Sequence, residues 1–209
     1  RGLVGSEMCI RDRFHISPNV KEREYLTEDE LKAVMTHEFA DSKLAYIRDI
    51  FIFASFTALS FVDIQELTND NIVEVNGEKW ILSKRHKTKV AFQVKLLDIP
   101  LQIVERYRPM QKDNRIFPGL NYWSICKPLK RMIRECGITK SISFHCSRHG
   151  FATLALSKGM PIESVSRVLG HTNIVTTQLY AKITTQKLDN DLTMFGDKLS
   201  KTFNGITMS

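Results

Sequence analysis

From Lys43 to Leu59 the apolar residues Leu44, Ile47, Ile50, Phe51, Ala54 and Ala58 recur at three- and four-residue steps, and further apolar residues fill the gaps between them. This spacing predicts a helix buried on most sides. Ahead of it, Thr27 followed by Glu28, Asp29 and Glu30 reads as an N-cap with acids in the first turn, opening a helix through about Phe39; Asp41 or Ser42 caps the buried helix. Residues 72–75 and 79–83 alternate around Asn76-Gly77, a strong hairpin signal. A third strand, Val90 to Leu96, completes a small antiparallel sheet, with Lys84 to Lys89 as the turn before it.

Pro100 opens a short helix to about Tyr107, and residues 116–119 form a connector. An amphipathic helix follows from about Tyr122 to Cys136, stopped by Gly137. Helices are then expected from about His145 to Ser157, closed by Gly159; from Pro161 at a first helical position to Leu169, closed by Gly170; and from about Asn173 to Ala181. In the tail, Thr185 to Lys201, Leu188, Leu192, Phe195 and Leu199 recur at helical steps. Trp80 and Trp123 are expected to anchor the core. The fold class is mainly α with a small three-stranded antiparallel β-sheet.

A chain of 209 residues, 43% hydrophobic and 25% charged, fits one globular domain with short tails and excludes collagen-like, disordered and disulfide-scaffold classes. The longest apolar run, Ile50 to Leu59, is too short to span a bilayer, so no membrane partner is expected. Cys9, Cys126, Cys136 and Cys146 form no CxxC pair and read as reduced thiols of a cytoplasmic protein. Residues 1–13 show neither helical nor strand periodicity and resemble a translated sequencing-adapter sequence. The expected organisation is that non-native segment, a linker at 14–24, a domain at 25–184 and a helical tail at 185–209, in a fragment that lacks its natural N-terminal part.

Charge changes the picture more than composition does. Residues 22–74 hold 12 acids against 4 bases, whereas residues 75–209 hold 9 acids against 22 bases. Lys79, Lys84, Arg85, Lys87, Lys89 and Lys95 fall within 17 residues that contain no acid. The second part is built to meet a polyanion, and nucleic acid is the first candidate.

Four polar positions stand out: His145-x-x-Arg148 near a helix start, His171 directly after Leu169-Gly170, Tyr180 nine residues later, and Lys87 in the basic turn. His145 and Arg148 project from nearly one helix face. His145 and His149 at i, i+4 could ligate zinc, but no third ligand lies at a suitable spacing, and neither metal nor cofactor is expected. In order and spacing, Arg148-His149-Gly150-Phe151-Ala152-Thr153, Leu169-Gly170-His171-Thr172-Asn173 and Thr176-x-x-x-Tyr180 resemble the C-terminal signature of tyrosine recombinases, the phage-integrase family. Arg85-His86-Lys87-Thr88 resembles the segment with the family's catalytic lysine, Thr57-Ala58-Leu59-Ser60 its Thr-Gly-Leu-Arg box, and Asp63 the acid downstream of that box.

The resemblance implies the DNA breaking-rejoining fold and site-specific recombination or integration without metal or ATP. Tyr180 is then the nucleophile that forms a 3′-phosphotyrosyl link. Arg148, His145 and His171 hold the phosphate oxygens or the phenol proton, and Lys87 is the general acid. The family's first arginine is Ser60 here. The sequence resembles a branch on integrative mobile elements that also lacks it, and Arg85 or Arg48 is the candidate substitute. Lys79, Lys84, Lys89, Lys130, Arg131 and Arg134 are expected to track DNA phosphates. The partners implied are double-stranded DNA, a homotetramer on paired sites, with the tail exchanged between protomers, and accessory DNA-bending or directionality factors. The setting is the bacterial cytoplasm. The alternatives are a catalytically impaired DNA-binding remnant and a DNA-relaxing activity like that of type IB topoisomerases.

Overall fold

The computed structural model describes residues 24–111, 113–180 and 185–202, with the side chains of 185–190 left aside. The adapter-like segment, nearly all of the 14–24 linker, residues 181–184 and 203–209, and the side chain of Leu188 lie outside the described residues.

Helix α1 (Glu28–Thr36) begins at a capping box. Thr27 Oγ1 accepts from the Glu30 amide at 3.3 Å, while Glu30 accepts from the Thr27 amide at 2.7 Å. Helix α2 (Ser42–Thr57) is capped by Asp41 and ends at Ala58, which takes the left-handed conformation with φ 56°. Its buried residues Leu44, Ile47, Ile50, Phe51 and Phe53 surround the helix, so α2 forms the axis of the core against α1 and the later helices. Inside that core, the carboxylate of Asp49 accepts from Arg48 Nε at 2.9 Å, Arg106 at 2.7 Å and the Tyr107 hydroxyl at 2.7 Å. The buried acid is thereby fully partnered.

The sheet has strand order β1 (Ile72–Val75), β2 (Glu78–Lys84), β3 (Ala91–Lys95), all antiparallel. Asn76 and Gly77, with φ of 54° and 78°, make the turn that sets Val75 opposite Glu78. Ile81, Phe92 and Val94 close the sheet over the core.

The sequence pattern misses one helix. Between α2 and the sheet, α3 (Phe61–Gln65) is only five residues long, too short to show a period. Its signal is the cap alone: Ser60 Oγ accepts from the Asp63 amide at 3.3 Å, and the Asp63 carboxylate accepts from the Ser60 amide at 3.2 Å.

Beyond the sheet run α4 (Asp98–Tyr107), α5 (Tyr122–Glu135), α6 (His145–Ser157) and α7 (Ile162–Leu169). Pro161 stands at the cap position before α7, with ψ 140°, rather than inside it. The helix expected over 173–181 is only α8 (Val175–Gln178): ahead of it Asn173 Oδ1 accepts from the Val175 amide at 2.9 Å in a local turn, and the chain turns again at Leu179. Helix α9 (Thr185–Thr202) ends the described chain. Trp123 does not anchor the core; it stands 83% exposed at the start of α5, and Trp80 is half-buried on the sheet. A second, small core of Ala58, Ala152, Leu156, Val165 and Leu169 joins α6 and α7 to the end of α2.

Candidate active site

That second core positions the site, because Arg148 rises from its edge on α6 and Tyr180 packs against it after α8. Arg148 donates from Nη1 to the carbonyl of Ala58 at 2.8 Å and from Nη2 to the carbonyl of Leu169. The left-handed turn at Ala58 puts the first of those carbonyls there. No carboxylate among the described residues forms an ion pair with Arg148. Burial and the neighbouring Arg85 push its pKa down to about 10, so it remains a cation at neutral pH.

Arg85, at the end of β2, is 5% exposed. Its Nη1 donates to Asp63 Oδ2 at 2.8 Å, its Nη2 to the carbonyl of Val168, and its guanidinium lies 4.0 Å from the centre of the Phe92 ring. Nε is buried without a hydrogen-bond partner. Gly170, with φ 62°, makes room for it, since a Cβ there would lie 2.9 Å from that nitrogen. Burial disfavours the Asp63 carboxylate, but bonds from the His86 amide, Arg85 and Ser60 outweigh it and hold Asp63 below the usual range. Burial likewise lowers the pKa of Arg85, opposed by Asp63.

Ser60 is occupied otherwise than its alignment with a catalytic arginine implies. Its hydroxyl donates to Asp63 Oδ2 at 2.8 Å, the same oxygen that holds Arg85. Ser60 therefore caps α3 and orients the acid that orients Arg85. Arg48 does not join this cluster: it donates to the carbonyl of His37 and to Asp49.

His171 Nδ1 lies 2.8 Å from Thr177 Oγ1. Burial, and then the charges of Arg148, Arg85 and His145, push its pKa down to about 4, so the ring is neutral at pH 7. His145, exposed at the start of α6, packs edge-on against His149 at 4.5 Å between ring centres, and His149 in turn lies 5.2 Å from the Tyr180 ring. His149 is buried, and its place between His145 and the tyrosine is a contact that spacing alone did not reveal. A cleft of about 240 Å3, lined by Ser60, Phe61, Val62, Tyr122, His145 and Arg148, opens beside these groups.

The structure thus gathers Arg85, Arg148, His171, His145 and Tyr180, with Ser60 supporting from behind. Lys87 is not in that cluster; it stands exposed in the turn between β2 and β3. Among the surface cations, Lys84, Lys89 and Lys130 are exposed, while Lys79 is paired with Glu105 at 3.0 Å and Arg131 with Asp41 and Glu135 at 3.2 and 2.7 Å. Lys127, which the sequence reading passed over, joins Trp123, Lys130 and Arg134 on one exposed face of α5. Among the described residues, no cluster of His, Cys, Asp or Glu could hold a metal ion.

The family model described as the phage integrase family matches residues 24–187. Tyrosine recombinase XerA of Pyrococcus horikoshii is 32% identical over 177 residues, covering 78% of this chain and 58% of the relative. Tyrosine recombinase XerC of Lactobacillus leichmannii is 27% identical over 202 residues, covering 90% and 68%. Among solved structures, the Tn1549 transposon integrase in complex with a circular intermediate DNA superposes with a TM-score of 0.71 at 16% identity, covering 86% of this chain and 68% of that one. XerH recombinase bound to its difH substrate gives 0.65 at 22%, covering 82% and 54%. These likenesses bear out the expected fold. The chain spans little more than half the length of the XerA relative.

Proposed function

The chain belongs to the phage integrase family, and on that footing we propose that it cuts and rejoins double-stranded DNA at specific sites through a 3′-phosphotyrosyl bond to Tyr180. One observation carries the reading: the buried Arg85, held by Asp63, lies beside Arg148, which has no ion pair of its own among the described residues. Two neighbouring guanidiniums, one of which lowers the other's affinity for a proton, are costly to assemble, and an anion between them and the tyrosine offsets that cost. A phosphodiester is that anion.

The Tyr180 oxygen attacks phosphorus as the bond to the 5′ oxygen breaks, so the phosphotyrosyl link conserves the energy needed for rejoining. Arg148, oriented by two carbonyls, presents its remaining donors to the non-bridging oxygens. Arg85 supplies the second charge in place of the missing arginine at Ser60. His171, which is neutral, and His145 exchange hydrogen bonds with the same oxygens or with the phenol, and Lys87 delivers the proton to the leaving oxygen. Lys84, Lys89, Lys127, Lys130 and Arg134, exposed and without an ion pair among the described residues, are surface cations for the DNA backbone.

Assembly of four protomers on paired sites, exchange of the tail, and accessory DNA-bending or directionality factors belong to the same reading, as does a place on DNA in the bacterial cytoplasm. No helix among the described residues is long and apolar enough to cross a membrane. The remnant reading rested in part on Ser60, and the buried charge of Arg85 argues against that part. Exchange of strands between two duplexes, rather than relaxation alone, separates a recombinase from a topoisomerase.

Covalent capture tests the reading. Nicked duplexes of randomised sequence are incubated with the chain and denatured, and adducts are recovered and sequenced. Tyr180→Phe abolishes the adduct and leaves DNA retention nearly unchanged, since one hydroxyl is lost among many phosphate contacts. An adduct of undiminished yield refutes the nucleophile.

A further inference from the structure

The turn that carries Lys87 is fastened at its neck by backbone bonds, Arg85 N–H to the Val90 carbonyl and Lys89 N–H to the Arg85 carbonyl, each 2.8 Å. Its tip is held differently. His86, the residue before Lys87, donates its amide to Asp63 Oδ1 at 3.0 Å, and its ring Nδ1 lies 2.8 Å from the carboxylate of Glu66. Asp63 and Glu66 stand three residues apart at the end of α3, so both point the same way, toward two consecutive residues of the turn: Arg85 and His86. Among the described residues, neither Lys87 nor Thr88 makes a hydrogen bond of its own. The tip is therefore tied to the body of the domain through His86 alone.

We propose that the Glu66–His86 pair is a latch that positions Lys87 toward the leaving oxygen, with Glu66 and His86 as positioning residues that touch neither DNA phosphate nor tyrosine. Without the ring contact, the His86 amide bond to Asp63 becomes a pivot, and the tip turns about it. The same Asp63 carboxylate fixes Arg85, so α3 sets the phosphate-binding cation and the proton donor in one frame. Both partners of the latch are about half exposed, and so exposed a pair adds little to stability; its loss moves the lysine without unfolding the domain. Displacing a catalytic group by about 1 Å costs on the order of a hundredfold in rate.

The inference rests on Lys87 as the general acid, and the leaving group discriminates it from other roles. When the Tyr180 oxygen displaces a 5′ oxygen, that oxygen must gain a proton as the P–O bond breaks. A 5′-bridging sulfur departs as a thiolate and needs none. The probe is the nicked duplex recovered by covalent capture on the unaltered chain, made with either oxygen or sulfur at the scissile 5′ position.

His86→Ala and Glu66→Ala are expected to form adduct about tenfold to a hundredfold more slowly on the oxygen substrate, within about twofold of the unaltered chain on the sulfur substrate, and with unchanged melting temperature. Glu66→Gln, which keeps a partner for the ring, retains most of the oxygen rate. Lys87→Ala shows the same pattern more strongly, and Arg85→Ala is slow on both substrates. If Lys87→Ala is rescued by sulfur while His86→Ala and Glu66→Ala behave normally on oxygen, or are slowed equally on both substrates, the latch is refuted and Lys87 stands. Equal slowing of Lys87→Ala on both substrates overturns Lys87 as the acid, and the latch with it.

Discussion

Arg85 and Arg148 reach adjacent carbonyls of one helix end: Arg85 donates to Val168 and Arg148 to Leu169, the last two residues before the left-handed turn at Gly170. One comes from the sheet and the other from α6, so the C-terminal end of α7 sets their separation. Its unsatisfied carbonyls, the negative end of a helix dipole, offset part of the cost of bringing two cations together.

The arginine that this chain lacks at position 60 is therefore expected to be replaced by Arg85. Arg85→Ala should slow cleavage by about two to three orders of magnitude, the scale of one lost transition-state donor. Ser60→Ala, which removes only a support of Asp63, should cost much less, and Arg48→Ala should leave the rate of the chemical step unchanged. Single-turnover adduct formation under saturating protein measures all three. Equal losses for Ser60→Ala and Arg85→Ala would return the role to the serine.

Gly170 is expected to tolerate no side chain. Its φ of 62° is strained for alanine, and a Cβ would meet Arg85 Nε at 2.9 Å. Gly170→Ala should destabilise the domain by more than about 1 kcal/mol in denaturant titrations and slow cleavage as well, because the atom displaced belongs to the site. Gly159→Ala, also at positive φ but with open space around it, is the control: it loses stability and keeps its rate.

Much of this was legible in the sequence. The Thr27 cap, the Asn76-Gly77 hairpin and the apolar period of α2 are local signals, set by neighbours along the chain, and the structure bears them out. What was not legible depends on partners far apart in sequence. Asp63 meets Arg85 across 22 residues and Arg48 turns to the His37 carbonyl, so choosing between the two arginines needed the fold. Trp123 misled because the amphipathic pattern of α5 gives its first turn no marker of which aromatic lies outward; Ile125, Leu129, Met132 and Ile133 take the inner face. The candidate residues Arg148, His171 and Tyr180 were readable only as an ordered set, because each alone also suits an ordinary structural position.

His171 should respond to acid and to DNA in opposite directions. Its pKa of about 4 lies below the 6.5 of the free side chain, because burial and nearby cations disfavour the imidazolium. Between those values the unfolded chain binds the proton and the folded one does not. The DNA-free protein should thus gain stability as pH rises from 4 to 6.5, with no further change from this group above that window. A bound phosphate reverses the local charge and should raise the pKa. Imidazole chemical shifts followed through a pH titration, with and without duplex, test both; a His171 that titrates near 6.5 in the free protein would contradict the first.

Salt should separate free cations from paired ones on α5. Lys130 and Arg134 are exposed with no acid paired to them among the described residues, whereas Arg131 is engaged by Asp41 and Glu135. DNA affinity should fall log-linearly with salt, and Lys130→Ala or Arg134→Ala should lower that slope by about one. Arg131→Ala should change it little, since a cation already neutralised releases no counterion from the DNA. A uniform drop across all three would mean that the acids let go of Arg131 when DNA binds.

The tail is expected to serve assembly rather than the fold of its own domain. Leu192, Phe195 and Leu199 recur at helical steps along α9, and their side chains are exposed, Phe195 by 58%. An apolar stripe left open on one protomer is suited to a groove on the next, and α9 begins only five residues after Tyr180. If the helix docks on a neighbouring protomer, a pull on it would reach the segment next to Tyr180 and would couple occupancy of the neighbour to cleavage. Deleting residues 186–209 should leave thermal stability and binding to a single duplex nearly unchanged, because the described apolar side chains of α9 are exposed rather than part of the core, while abolishing assembly on paired sites. Leu192→Glu with Phe195→Glu should reproduce the loss without shortening the chain. Synapsis measured by native gel or light scattering decides the matter: assembly that survives both changes would place the protomer contacts elsewhere.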